Sequence, residues 1–67
     1  MEFKLKSEFI ALDNLLKVLE FASGGPEAKE IILSGAIKVN GEAETRVRRK
    51  LHSGDRVEFG QAKVSII

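Results

Sequence analysis

Residues 45–56 read TRVRRKLHSGDR, placing Arg46, Arg48, Arg49 and Lys50 within five positions, with His52 and Arg56 close behind. A guanidinium is a planar fork of donors that matches phosphate oxygens, so this cluster points to anion binding. Like charges at such density repel one another in a compact fold, so the run faces either solvent or something negative. Val47 interrupts the charges and lets Arg46 and Arg48 project together, and further basic groups, His52 and Arg56, follow rather than compensating acids. Other chemistry is poorly supplied. His, Ser and Asp follow one another in HSGD, residues 52–55, but adjacency in sequence is not triad geometry, and Ser-Gly-Asp is ordinary turn composition. One histidine, no cysteine and no acidic cluster at ligand spacing leave nothing to hold a metal, and no cofactor is expected. Gly24-Gly25 before a helix has free backbone N–H groups for a phosphate, yet it lacks the lysine and spacing of a P-loop and follows no strand. It reads as a turn and a cap, and the chain is not expected to be an enzyme.

The elements that must position the arginines follow from periodicity. MEFKLKS alternates apolar Met1, Phe3 and Leu5 with polar residues, the pattern of a half-buried edge strand. Leu12, Leu15, Leu16 and Leu19 then fall on one helical stripe, predicting a helix from Ala11 to about residue 21 or 22 with Lys17 solvated. Gly25 as N-cap, Pro26 at the first helical position, Glu27 in the first turn and Gly35 beyond the end predict a second helix over 26–34. Its Ala28, Ile31 and Ile32 would face the first helix, and the short connection predicts a helical hairpin. Thereafter the period returns to two. Ile37 and Val39 flank Lys38, Asn40-Gly41 is a strong hairpin signal, Ser53–Asp55 is a second turn, and RVEF and AKVSII form a further hairpin about Gly60-Gln61. The fold class expected is α+β, a two-helix hairpin packed on a small, mostly antiparallel sheet, with residues 1–67 as a single domain.

Composition narrows the function classes. A 67-residue chain buries only about 60% of its unfolded surface. Without disulfides its core supplies about 3–5 kcal/mol. No apolar run approaches a membrane span and no secretory leader is visible, so a cytoplasmic location is expected. Net charge is only +1, but residues 1–30 carry −2 and residues 31–67 carry +3, with every arginine between positions 46 and 56.

The order LLK in the first helix, SGGPEAK entering the second, GAIKVNGE at the hairpin, then ETRVRRKL and GDRVEF resembles the S4-like RNA-binding domain, and especially its small stand-alone bacterial members of the YbcJ and YaaA type. The resemblance covers about residues 9–59. It implies the αL motif, a helical pair with an adjoining basic loop, and binding to structured RNA, ribosomal or transfer RNA. Carried over by position, it implies RNA contacts from Lys17, Lys29, Lys38, Arg46, Arg48, Arg49 and Lys50.

Phe3, Phe9, Phe21 and Phe59 fall in apolar patterns and are assigned to the core, and with no Tyr or Trp single-strand stacking is not expected. The leading reading is a monomeric, non-catalytic RNA-binding module, associated with ribosomes. The alternative is an interaction adaptor whose basic loop docks an acidic partner on the ribosome or another complex. DNA reading ranks below both, because Glu27 and Glu30 flank Lys29 on the second helix.

Overall fold

The computed structural model describes residues 1–67. Strands β1 (Glu2–Phe3) and β2 (Ile10–Ala11) precede helices α1 (Leu12–Val18) and α2 (Gly25–Leu33). Strands β3 (Ile37–Val39), β4 (Glu42–Ala43), β5 (Lys50–Leu51), β6 (Arg56–Phe59) and β7 (Ala62–Ile66) follow. The main sheet has the order β1-β7-β6-β3-β4, antiparallel except for β1 against β7, and β2 pairs with β5 in a separate antiparallel ribbon. This is the α+β arrangement expected.

The core forms where the two periodicities meet. Leu12, Leu15 and Leu16 of α1 and Ala28 and Ile32 of α2 bury against Ile37, Val39, Val57, Val64 and Ile66 of the sheet, with Leu51 of β5 joining them. Alternate residues of the strands, Lys38, Arg56 and Lys63 among them, point out of the opposite face. Asn40 and Gly41 both have positive φ, 54° and 87°, as a type I′ turn requires, and they fix the Val39–Glu42 register.

Four expectations need correction. The opening strand is an edge strand, but it is two residues long and parallel to β7; hydrogen bonds from Ser65 to Met1, from Ile67 to Phe3 and from Leu5 to Ile67 hold it. The second helix begins one residue early, with Gly24 rather than Gly25 as N-cap, and the Glu27 carboxylate accepts the Ser23 N–H at 2.7 Å. Lys50, assigned to a loop, lies in β5, and the β2–β5 ribbon has no clear sequence signal because each strand is only two residues long.

The first helix also stops early, at Val18. Residue 21 would project about 180° from Leu12 in a continuous helix, sending Phe21 into solvent. Instead Glu20 turns left-handed at φ 61°, and the N–H groups of Glu20 and Phe21 donate to the carbonyls of Lys17 and Leu16, a Schellman closure. Phe21 thereby returns to the core and packs 5.6 Å from the Phe59 ring centroid. A side chain in the left-handed region costs roughly 1 kcal/mol relative to glycine. Glu20→Gly is therefore expected to stabilise the fold by about that amount, raising the thermal midpoint by about 4–8 °C in a melting experiment.

Candidate functional site

The basic run is organised from inside the protein. Glu44, 6% exposed, accepts the Arg46 backbone N–H at 3.0 Å, Arg46 Nε at 2.9 Å, Arg46 Nη2 at 2.9 Å and Arg49 Nη1 at 2.7 Å. Arg48 Nη1 donates to Asp13, which is 8% exposed, at 3.2 Å. The expectation that no acid compensates the arginines is therefore wrong. Their counter-charges precede them in sequence, one at Glu44 and the other in the first turn of α1.

The loop backbone is as firmly placed as its side chains. Arg49 N–H donates to the Arg46 carbonyl, closing a turn, and the carbonyls of Arg49 and Val47 accept the N–H groups of Leu12 and Asp13 at 2.8 and 3.1 Å. Ala11, the N-cap of α1, has no side-chain acceptor to offer, so the loop satisfies donors that a Ser or Asp would otherwise cap. Asp13 suits this place twice over, since a carboxylate complements the helix N-terminus and also binds Arg48. Val47 packs on the core below, and Leu51 is fully buried.

What remains outside is an open groove lined by Arg46, Arg48, Arg49, Lys50, His52 and Asp55, without an apolar residue. The side chains of Arg46 and Arg48 stay 72% and 70% exposed despite their ion pairs, whereas Arg49 is 27% exposed. Arg46 spends Nε and one terminal nitrogen on Glu44, and Arg48 spends one terminal nitrogen on Asp13, so each retains donors toward solvent. At the rim, Lys50 Nζ lies 4.9 Å from the Phe9 ring centroid, and the rings of His52 and Phe9 are 6.2 Å apart. The HSGD segment is a turn: Asp55 N–H donates to the His52 carbonyl, while the Asp55 carboxylate accepts His52 N–H and Asn40 Nδ2.

The other three lysines are placed differently. Lys17 sits one turn beyond Asp13 on α1, on the side where Arg48 docks. Lys29 is exposed on α2. Lys38 projects from the outer face of the sheet, in register with Glu58, and does not share a face with the arginine groove. Sequence reasoning missed Glu44, Asp13 and Phe9; Phe9, assigned to the core, is 38% exposed. The Glu-Thr-Arg spacing was the available signal for Glu44, because a carboxylate two residues ahead of an arginine in an extended segment lies on its side.

A family model described as S4 domain matches residues 3–67. The chain is 36% identical over 62 residues to YbcJ of Escherichia coli (strain K12), covering 92% of this chain and 89% of that protein, and YbcJ of Shigella flexneri matches to the same extent. The solution structure of E. coli YbcJ, described as revealing an αL motif involved in RNA binding, aligns with a TM-score of 0.73 at 36% identity, over 98% of this chain and 85% of that one.

The electrostatics set an acid limit on the site. Hydrogen bonds from the Arg46 side chain, above all, hold the Glu44 carboxyl far below its ordinary 4.5, against the opposing effect of burial. Burial likewise pushes Asp55 up, but the bonds from His52 and Asn40 and the nearby Arg49 and His52 charges together bring it below 3.8. Carboxyls depressed on folding contribute stability that is complete above their unfolded values and lost as pH falls through the folded ones. Unfolding free energy should therefore be flat from about pH 7 to pH 5 and decline below about 4.5. Glu44→Gln should cost about 2 kcal/mol at neutral pH, and its stability should converge on wild type in acid, as measured by urea denaturation across the pH range.

Proposed function

This chain belongs to the S4 domain family, and on that premise we propose that it binds structured RNA, ribosomal or transfer RNA foremost, as a non-catalytic module. The proposed binding surface is the groove of Arg46, Arg48, Arg49 and Lys50, with Lys17 and Lys29 of the helix pair as further contacts; Lys38, on the outer face of the sheet, is left out of it. The observation that carries this reading is the pair of arginines that are ion-paired from beneath by buried acids and still about 70% exposed above.

That arrangement suits phosphate better than free surface charge does. A solvated arginine loses side-chain entropy when it docks, whereas one already held by a carboxylate has lost much of that freedom in the folded protein. The inner acids also reduce the long-range field, so affinity depends on short-range forks aimed at backbone oxygens. A rigid helix pair with fixed forks fits the wide, shallow minor groove and phosphate rows of folded RNA, read by shape.

Removing Arg46 or Arg49 would strand Glu44 and its four donors, so the informative variant is Arg48→Gln with Lys50→Gln, in which Asp13 loses one partner but keeps the start of α1, and a melting curve checks that the fold is retained. In titrations of a folded transfer or ribosomal RNA at two salt concentrations, wild type should bind more weakly as salt rises. The variant should lose affinity at low salt, with a slope flatter by roughly 0.7–0.9 log units for each phosphate that is no longer neutralised. Equal affinities and slopes for the two proteins would assign the groove to an acidic protein partner instead.

A further inference from the structure

Beside the arginine groove runs a second groove of different character. It has a volume of about 290 Å³ and is lined by Phe3, Leu5, Phe9, Ile10 and Val18 together with Lys4, Lys6 and Ser7. The two grooves meet at Phe9. Its ring lines the apolar one, while Lys50 and His52, which line the basic one, pack against it at 4.9 and 6.2 Å. The other three phenylalanines pack on the core, Phe3 at the edge of this groove, whereas Phe9 is the most exposed of the four.

We propose that Phe9, with His52 beside it, is a stacking platform for one unpaired nucleobase of the bound RNA, which enters the apolar groove while its flanking phosphates lie on Lys50 and the arginines. The inference rests on the RNA-binding reading and sharpens it, from folded RNA in general to a duplex interrupted by an unpaired nucleotide.

Three observations support this occupant. The Phe9 ring, with the His52 imidazole tilted 52° beside it, offers a sequence-tolerant π-face for a base, and such contacts carry much of the affinity for unpaired nucleotides. Lys4 and Lys6 line the groove itself and Lys50 Nζ lies against the Phe9 ring, so the charges next to that base suit a negative backbone. The volume lies at the lower bound of small-ligand sites, room for a single planar base rather than for a folded partner.

The chain has no tryptophan or tyrosine, so Phe9→Trp supplies a single fluorescent reporter at the site. Two RNA hairpins would be compared, identical except that one carries a single bulged nucleotide. Wild type should bind the bulged hairpin roughly five- to tenfold more tightly. Phe9→Leu should abolish that preference while keeping the affinity and salt slope for the paired hairpin, and the Phe9→Trp emission should be quenched by the bulged RNA alone. Equal wild-type affinity for the two hairpins, with Trp emission unchanged and dependence on Arg48 and Lys50 intact, would overturn the stacking inference and leave the phosphate surface standing. Binding of neither hairpin would overturn both. Should Phe9→Leu fail to fold, the wild-type comparison and the Trp signal decide. Emission moved only by an acidic amphipathic peptide would give the groove to a protein and end the proposal.

Discussion

Taking a carboxylate out of water costs several kcal/mol unless charged donors surround it, and this constraint shapes the basic half of the molecule. Glu44 is buried with four N–H donors around it, all drawn from Arg46 and Arg49. To deliver them the chain must curl about the carboxylate, and once curled it has little choice of path. The carbonyls of Val47 and Arg49 then fall over the start of α1, Val47 drops onto the core, and the unused faces of the guanidiniums point away. A cluster whose mutual repulsion would weaken a small domain is thus the counter-ion shell of an internal anion. Stability and display come from the same contacts.

The second dependency is that of α1 on the loop. Seven residues make about two turns, well short of what holds as an isolated helix in water. Its leucines bury against α2 and the sheet, its last carbonyls are closed by the left-handed Glu20, and its first donors are met by the carbonyls of Val47 and Arg49, far along the chain. Helix pair, loop and ribbon are therefore one mechanical unit, the αL motif, and the arginines inherit its rigidity.

Legibility followed the range of the interactions. The leucine stripe, the Pro-Glu helix start and the Asn-Gly turn are local signals, and each led to an element whose start lies within a residue of its expected place. The premature end of α1 was also encoded, in the orientation a longer helix would have given Phe21, but reading it requires knowing that Phe21 must reach the core. Partners of Asp13, the parallel pairing of β1 and the β2–β5 ribbon are long-range and depend on three-dimensional closure, which no window of sequence contains. The site divided in the same way. Arginine identity and clustering were visible, whereas the acids beneath them and the exposure of Phe9 were not, because an apolar pattern does not say which of its members lies at the rim.

The capping of α1 by residues 47 and 49 has a consequence for how the chain is made. During synthesis Leu12, Leu15 and Leu16 leave the exit tunnel early, yet the carbonyls that complete their helix and the strands that cover them are translated later. Two turns of helix fall short of the length that holds on its own in water, so α1 gains little from forming ahead of the elements it packs on. Until those arrive, its leucine stripe lacks the sheet that buries it, and apolar surface exposed in that way makes incomplete chains prone to aggregate. The beginning of the helix is completed only once the arginine loop has emerged to close over it.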